Sequence, residues 1–310
     1  MATPDFFADR AHLLAMDLLR TVEDMQAIAD RARCQGQRLV LVPTMGALHD
    51  GHVALVEEAH RQGNHVTVSI FVNPTQFGPG EDYEQYPRTL ANDLERLART
   101  NGGRGVSCVF APTVASMYPL GLPVRMTVEP NGLDRHLCGA HRPGHFQGVT
   151  TVVTKLFNAC RPHVAVFGRK DAQQFLILRR MARELNTGIE LVGVETVREA
   201  DGLALSSRNR YLTDEERGQA VVLARALRAV TAAVSAGERD TKALVRALLD
   251  HMQSSHLARV QYAEIVDTET IQPVATLEPG REALAAVAVF FGSTRLIDNA
   301  LLTVPTDERP

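Results

Sequence analysis

The sequence predicts an α/β protein in which helices cover both faces of a parallel sheet, with a smaller α+β domain at the C-terminus. Two observations support this prediction. Short apolar runs bounded by turns, as buried parallel strands are, alternate with stretches of helical periodicity. After about Thr196 the pattern changes to alanine- and arginine-rich helices and then to strands. We therefore expect one domain over residues 16–195 and a second over residues 196–310.

Strands and helices alternate regularly through the first domain. The predicted strands cover residues 38–44, 65–73, 106–112 and 163–168, and the predicted helices cover 52–63, 89–100, 148–162 and 171–186. In the first of these helices Val53 and Val56 recur at helical spacing, and Gly63 suits its end. Strands separated by helices indicate a Rossmann-like parallel sheet, whose ligands bind at the carboxyl ends of the strands.

The second domain has a different order of elements. Thr213 and Glu216 form a capping-box pattern that opens a helix, and helical sequence continues to about residue 237. Another helix over about 241–254 precedes strands near 260–266 and 286–291. Helices followed by strands predict the smaller α+β domain.

Composition narrows the classes of function. A net charge of −3 gives no sign of a general nucleic-acid or membrane-surface binder. The four cysteines are far apart in the sequence, which fits reduced thiols better than disulfides or a zinc site. No apolar run is long enough to cross a bilayer, and the N-terminus lacks the basic region of a secretion signal. We therefore expect a cytoplasmic protein.

The stretch PTMGALHDGH, residues 43–52, leaves the first predicted strand through a glycine turn and enters a helix. Unpaired backbone N–H groups at a helix start, together with the helix dipole, form an anion site. His49 and His52 are three residues apart, so both can project beside that site and donate hydrogen bonds to phosphate oxygens. The alternative is two surface histidines in a loop, but the strand–turn–helix setting favours function. The ending of a Walker phosphate loop is missing.

Two further stretches suit phosphate. In GRKD, residues 168–171, Gly168 permits close backbone approach and Lys170 supplies a compact positive charge. Lys170 is one of only three lysines among 33 basic residues, which supports a function for it. Asp171 either caps the following helix or contacts the ligand. LSSR, residues 205–208, offers two hydroxyls and a guanidinium that can bracket phosphate oxygens, and a plain serine-rich loop is the alternative.

Taken together, these stretches resemble the pantoate–β-alanine ligase family of the nucleotidyltransferase superfamily, whose signature is histidine–x–glycine–histidine. The similarity runs from about Met16 to the C-terminus, through residues 43–52, 71–89, 142–158, 167–174 and 196–209. Residues 1–15 extend beyond where the family usually begins, and this N-terminal extension is either a start-codon choice or a disordered tail. The resemblance implies ATP-dependent ligation of pantoate and β-alanine through a pantoyl adenylate, with Mg²⁺ accompanying ATP, and a homodimer.

The resemblance also implies roles for individual residues. His52 would be the proton donor, with His49 beside it and Lys170 on the phosphates. The ATP-binding set would be Met45, Gly46, Ala47, Leu48, His49, Asp50, Gly51, His52, Gly168, Arg169, Lys170, Asp171, Val197, Leu205, Ser206, Ser207 and Arg208. Gln76 would bind pantoate and β-alanine and Gln174 pantoate, since neutral amides hold hydroxyls and carboxylates without a buried charge. The family commonly has glutamate where Arg169 stands.

Other residues are weaker candidates. Asp93 is either an outer-sphere ligand of Mg²⁺ or, as its helical setting favours, a solvated carboxylate. Arg142 is a candidate for the phosphate or carboxylate region. Tyr83 and Tyr86, beside the glycines of residues 78–80, either form a lid or simply pack. The C-terminal domain, which carries LSSR, is expected to close over the site and exclude water from the adenylate.

Two other functions stay open at this point. A related nucleotidyltransferase would transfer AMP or CMP to a phosphate or sugar acceptor, which explains HDGH but neither the paired glutamines nor NPTQF. A nucleotide-binding regulatory protein would keep the pocket without the chemistry. Such a protein should have lost His52, Lys170 or Arg208, and all three are present.

Replacing Lys170 with alanine should abolish adenylate formation and leave the fold intact. The reason is that this lysine supplies charge to the phosphates rather than packing to the core. ATP–pyrophosphate exchange at saturating substrates, together with circular dichroism, measures both effects. Normal exchange in the variant would contradict the role assigned to Lys170.

Overall fold

The computed structural model describes residues 16–304, so the predicted extension at 1–15 lies outside the described residues. Internal contacts divide the described chain into two compact units. The first comprises residues 16–130, 143–169 and 177–195, and the second comprises 131–142, 170–176 and 196–304. The predicted domain boundary at residues 195 and 196, with a C-terminal domain that closes over the site, stays a prediction.

The first unit contains a six-stranded parallel sheet. Its strands are β1 (Asp17–Leu19), β2 (Leu39–Thr44), β3 (His65–Ile70), β4 (Cys108–Phe110), β5 (Val164–Gly168) and β6 (Glu190–Val194). They lie in the order β1-β4-β3-β2-β5-β6, and every neighbouring pair is parallel. The predicted α/β class and parallel sheet are confirmed. The two edge strands, β1 and β6, were not predicted from the sequence because neither is a buried apolar run.

Helices flank this sheet, and further helices belong to the second unit. They are α1 (Val22–Cys34), α2 (Asp50–Gln62), α3 (Leu90–Ala98), α4 (Thr100–Gly103), α5 (Val114–Met117), α6 (Leu137–His141), α7 (His145–Cys160), α8 (Ala172–Glu184), α9 (Asp214–Ala220), α10 (Val222–Ser235) and α11 (Thr241–Gln253). Sequence analysis missed α1, although its signals are present. Thr21 caps it by accepting a hydrogen bond from the Asp24 amide, and arginines occupy its last turn.

The order of the sheet reverses between β2 and β5. From β2 the chain proceeds outwards through β3 and β4 on one side, and later through β5 and β6 on the other. β2 and β5 pair directly, with Val40 opposite Val164 and Leu41 opposite Ala165. These four residues are fully buried, so the two strands form the centre of the core. In open α/β sheets such a reversal leaves a crevice at the carboxyl ends of the two strands.

The second unit is built on a three-stranded antiparallel sheet. Its strands are β7 (Ala258–Asp267), β8 (Glu282–Phe291) and β9 (Thr294–Thr303), in that order. α10 and α11 pack against it through Leu223, Val230 and Leu248, which join Val287 and Phe291 of β8 in one core. The predicted smaller α+β domain is confirmed as a fold class. β9 was missed because its burial alternates along the strand.

Two expectations from composition can be compared with the structure. All four cysteines are free: Cys34 is exposed, and Cys108, Cys138 and Cys160 are buried. Between residues 16 and 304 no helix combines the length and apolar character needed to span a bilayer.

Two helical glycines provide a matched test of packing. A Cβ on Gly148 of α7 would lie 2.3 Å from the Thr75 carbonyl oxygen, whereas a Cβ on Gly218 of α9 would meet nothing within 4 Å. Gly218→Ala should therefore raise the free energy of unfolding by about 0.5–1 kcal/mol, since alanine is the better helix former. Gly148→Ala should lower it by about 1–3 kcal/mol through overpacking against backbone.

Urea unfolding of both variants and the wild type measures these changes. An equal stabilisation by the two alanines would contradict the close approach of α7 to residues 74–76.

Candidate functional site

The predicted phosphate segments begin at the two strands where the sheet order reverses. β2 ends at Thr44 and leads directly into residues 45–52, and β5 ends at Gly168. Because parallel strands end at the same edge of a sheet, both segments start from one edge of the first unit. This edge is the position at which open α/β sheets bind ligands.

A buried carboxylate holds the loop between β2 and α2. Asp93 of α3 is only 2% exposed, and its two oxygens accept hydrogen bonds from the amides of Leu48 at 2.8 Å and Ala47 at 3.1 Å. Thr89 adds a weaker hydroxyl bond at 3.3 Å. The loop has positive φ at Gly46 (83°) and at Ala47 (50°), where a residue other than glycine is strained. Asp93 therefore fixes a backbone conformation that the chain would otherwise avoid.

The expectation that Asp93 is a solvated carboxylate is wrong, because α3 turns this residue inward against the loop. Burial raises the pKa of Asp93 above its ordinary value. The hydrogen bonds from Leu48, Ala47 and Thr89 and the nearby charge of Arg96 oppose that shift. A carboxylate already engaged by two backbone amides has a positioning role that the sequence did not reveal.

The two histidines cap α2 reciprocally. His49 is the N-cap, and its Nδ1 accepts a hydrogen bond from the Gly51 amide at 3.1 Å. The His52 Nδ1 in turn accepts one from the His49 amide at 3.2 Å, and the two ring centroids lie 4.1 Å apart. A Cβ on Gly51 would lie 2.8 Å from the His49 ring, which explains the glycine between them. The histidine–x–glycine–histidine spacing is therefore also a capping motif.

This cap determines the tautomer of both rings. A nitrogen that accepts a hydrogen bond carries no proton, so the hydrogen-bond network assigns the proton of each neutral imidazole to Nε2. Several backbone amides of this segment have partners within the protein: those of Ala47 and Leu48 bind Asp93, and those of His49 and Gly51 bind the rings. These four amides are therefore already engaged, among them that of Gly51, one of the helix-start amides expected to be unpaired.

Gln76 lies beside the same loop. Its Nε2 is 3.3 Å from the Met45 sulfur, and its Oε1 accepts a hydrogen bond from the Asn73 amide group at 3.1 Å. Asn73 is 1% exposed and accepts a hydrogen bond from the Tyr118 hydroxyl at 2.6 Å. The His145 Nδ1 lies 2.8 Å from the Gln76 carbonyl oxygen. Asn73 and His145, which sequence analysis did not single out, therefore orient Gln76.

Gly168 and Arg169, at the end of β5, have different surroundings. A Cβ on Gly168 would make only an ordinary contact, 3.9 Å from Leu55, so packing within the protein does not require glycine there. Arg169 forms an ion pair at 2.7 Å with Glu195, whose side chain is 80% exposed. An exposed partner of this kind contributes little to stability.

The other predicted ATP residues belong to the second unit. The Lys170 side chain is 22% exposed, and its Nζ lies 4.0 Å from an Asp171 carboxylate oxygen. Val197 and Leu205 are the ends of a short hairpin, in which the Leu205 amide donates to the Val197 carbonyl at 2.9 Å. Ser206 follows at once, and its hydroxyl oxygen accepts a hydrogen bond from the Arg208 amide. This unit therefore brings Val197 together with residues 205–208.

Gln173 and Gln174 differ in burial. Gln173 is 5% exposed, and its amide binds the carbonyls of Leu133 and His136. Gln174, the predicted pantoate ligand, is half-buried. Gln173 thus has a structural role, and Gln174 keeps a partly accessible side chain.

Arg142 follows α6 directly, as its C-cap residue.

The aromatic residues near the glycines of 78–80 pack on one another. Tyr83 and Tyr86 meet the Phe77 ring edge-on, with centroids 5.4 and 6.2 Å away. Tyr86 is 8% exposed. These contacts support the packing alternative over a lid.

The described part of the chain holds no group of three histidine, cysteine or acidic side chains placed to bind a metal. Asp93, the one metal candidate from the sequence, is committed to backbone amides. The residues present therefore do not form a protein cage for Mg²⁺.

Known proteins resemble this chain over nearly its whole length. The sequence profile of a family described as pantoate-beta-alanine ligase matches residues 17–301. The pantothenate synthetase of Salinibacter ruber is 58% identical over 94% of this chain and 99% of that protein. The crystal structure of pantothenate synthetase from Thermus thermophilus superposes with a TM-score of 0.83 at 46% identity, covering 94% and 100% of the two chains.

One solved relative carries ligands. The crystal structure of pantoate-beta-alanine ligase from Francisella tularensis, complexed with beta-gamma ATP and β-alanine, has a TM-score of 0.74 and 31% identity. The match covers 92% of this chain and 97% of that one.

Asp93→Asn should loosen the loop at residues 45–49. An amide has only one acceptor oxygen, so one of the two backbone donors loses its partner, at about 1–3 kcal/mol. Hydrogen exchange of the amides of Ala47 or Leu48 should accelerate roughly tenfold or more. The same change at exposed Asp250 on α11 is the control, and unchanged exchange at both amides would contradict the positioning role of Asp93.

The same variant tests the raised pKa of Asp93. The folded protein binds the proton of the Asp93 carboxyl more tightly than the unfolded chain does. The stabilisation from this tighter proton binding is therefore complete at pH values below the pKa of Asp93 in the unfolded chain. That contribution is lost as the pH rises through the folded pKa. Free energies of unfolding, taken as wild type minus Asp93→Asn, should therefore fall with rising pH across this window. A flat difference would contradict the shift.

Proposed function

The chain belongs to the pantoate–β-alanine ligase family, and we propose that it carries out its ATP-dependent ligation of pantoate and β-alanine through a pantoyl adenylate. The observation that carries the proposal is the adjacency of β2 and β5 where the sheet order reverses. It starts the histidine segment and the Gly168 segment from one edge, where a triphosphate can contact both. The acyl adenylate is the step that the proposal adds to the ligase activity.

In the first step a carboxylate oxygen of pantoate attacks the α-phosphorus of ATP. A bond forms between that oxygen and the phosphorus, and the bond from the phosphorus to the bridging oxygen breaks to release pyrophosphate. Negative charge grows on the phosphate oxygens during this step. Hydrogen-bond donors held in place beforehand stabilise such charge, since they need not reorganise as it develops.

His49 and His52 suit that task. Their Nδ1 atoms accept hydrogen bonds from backbone amides, so each neutral ring carries its proton on Nε2 and is held in a fixed orientation. We assign His52 as the donor to the phosphates and His49 as its neighbour. Lys170 would add the formal positive charge, and residues 205–208 would add hydroxyl and guanidinium donors.

In the second step the amine of β-alanine attacks the acyl carbon. The new carbon–nitrogen bond replaces the carbon–oxygen bond to AMP, and the amine loses a proton. Gln76 is assigned to pantoate and β-alanine and Gln174 to pantoate. The support for Gln76 is its contact with Met45 and its fixed orientation by Asn73. A neutral amide can bind hydroxyls and a carboxylate without placing a second charge beside the phosphates.

Mg²⁺ would neutralise phosphate charge when bound. In the absence of a carboxylate cage within residues 16–304, we propose that it arrives on ATP and keeps mostly phosphate and water ligands. We also propose a homodimer in the cytoplasm, on the family resemblance and the free cysteines. Sedimentation equilibrium distinguishes the dimer from a 33.9 kDa monomer.

Pyrophosphate–ATP exchange tests the adenylate. Exchange should require pantoate and proceed without β-alanine, because the first half-reaction is reversible on its own. Addition of β-alanine should then yield AMP and pantothenate. Lys170→Ala should abolish exchange, whereas Lys242→Ala, an exposed lysine on α11, should retain it.

Absence of exchange in a folded wild-type sample that makes pantothenate with β-alanine would contradict an independent adenylation step. Exchange without pantoate would point instead to a different acceptor.

A further inference from the structure

We propose that Asp298 and Asn299, neighbours on β9, are positioning residues that hold two ATP-binding segments of the second unit in one fixed arrangement. The segments are the turn at Lys170 and the stretch 197–208. This inference rests on the proposed function, since both segments owe their ATP role to it. Neither Asp298 nor Asn299 belongs to the set of residues that the sequence motifs pick out.

Asn299 holds the Lys170 turn. Its side-chain amide donates a hydrogen bond at 2.9 Å to the Lys170 carbonyl oxygen. Lys170 follows β5 in a short 3-10 turn, and the hydrogen bonds of such a turn have poorer geometry than those of an α-helix. A lysine side chain is long and flexible, so the position of its backbone decides which volume its ammonium group can reach. The hydrogen bond from Asn299 fixes the position of the Lys170 backbone.

Asp298 holds the hairpin that leads to residues 205–208. Its carboxylate receives two hydrogen bonds from the Arg198 guanidinium, at 2.6 and 3.0 Å. Arg198 also donates to the Gly202 carbonyl at the hairpin tip, at 3.1 Å. The Asp298 side chain is 1% exposed, so this is a buried, bidentate pair. Buried ion pairs contribute little net stability compared with apolar packing, whereas their geometry is strongly directional.

Both contacts originate from one rigid strand. β9 pairs with β8 without interruption, and Asp298 and Asn299 lie opposite Val287 and Ala286. Successive side chains of a strand point to opposite faces, so two adjacent residues can hold two different segments. The Asp298 carboxylate also accepts the Asn299 backbone amide at 2.8 Å, which ties the pair together. The Lys170 turn and the stretch 197–208, about 30 residues apart in sequence, are thus both held by the same strand.

An exchange of the two side chains tests the inference. The double variant Asp298→Asn/Asn299→Asp keeps composition, size and net charge, but puts a donor where Arg198 needs an acceptor and a carboxylate where the Lys170 carbonyl needs a donor. The single variants Asp298→Asn and Asn299→Asp accompany it. Controls with the same chemical change are Asp250→Asn and Gln253→Glu, both at exposed positions of α11. Asn299→Ala, which removes only the donor, serves if the exchange variant fails to fold.

Each single variant should raise the KM for ATP roughly tenfold, the effect of losing about one hydrogen bond to the held segment. The exchange variant should raise it at least as much. The KM for β-alanine should stay within about twofold. Asp298→Asn leaves the Arg198 guanidinium without its buried carboxylate, so this variant and the exchange variant should melt below the controls, whereas Asn299→Ala should melt with them. Isothermal titration with ATP should show the same loss of affinity.

Two results would overturn the inference. One is an unchanged KM for ATP in a folded exchange variant or in Asn299→Ala. The other is a parallel rise in both KM values in Asn299→Ala with a fall in its melting temperature, which marks a purely structural role. A wild-type protein without ATP-dependent pantothenate formation would instead contradict the proposed function itself, so the two failures are distinguishable.

Discussion

The direct pairing of β2 with β5 is the constraint on which the rest of the first unit depends. The chain builds the sheet outwards from β2, first through β3 and β4 and then through β5 and β6. Because all the strands are parallel, the reversal brings the ends of β2 and β5 side by side. Everything assigned to phosphate chemistry in this unit begins within a few residues of these ends. Buried aliphatic side chains at Val40, Leu41, Val164 and Ala165 hold that pairing in place.

Polar contacts then fix the loop and the first turn of α2 at the edge of the sheet that apolar packing holds together. The Asp93 carboxylate is expensive to bury, and its bonds to the amides of Ala47 and Leu48 offset that expense by holding a strained loop. The two histidines satisfy the first turn of α2 and, by doing so, fix their own tautomers. The same side chains therefore serve local structure and chemistry. A substitution at His49 or His52 removes both a cap and a donor, so loss of activity in such variants has two physical causes.

Most of the strands predicted from the sequence bury continuous apolar runs, and the three that were not predicted do not. β2, β3 and β5 were evident as such runs, whereas β1, β6 and β9 have mixed exposure. The helix at 90–98 was predicted, but its pattern could not reveal the neighbour of Asp93, which lies about 45 residues earlier in the chain. Hydrophobic periodicity predicts which face of a helix is buried, but it does not identify the residues that this face contacts.

The same limit applies to the candidate site. The HDGH spacing predicted two histidines beside a helix start, and α2 begins there as expected. The Gly51 amide, expected to be unpaired, binds the His49 ring, and the preceding loop amides bind Asp93, whose position depends on the tertiary fold. The orienting roles of Asn73 and His145 likewise depend on contacts across the unit. The assignments of ATP, pantoate and β-alanine to individual residues rest on family resemblance.

A crystal structure of this protein with a non-hydrolysable ATP analogue tests the central claim most directly. The account predicts that the phosphates lie at the carboxyl ends of β2 and β5, within hydrogen-bond distance of the Nε2 atoms of His49 or His52. It also predicts that the bonds from Asp93 to the loop persist in the complex. A nucleotide bound away from these strand ends, or phosphates contacting neither imidazole, would contradict it.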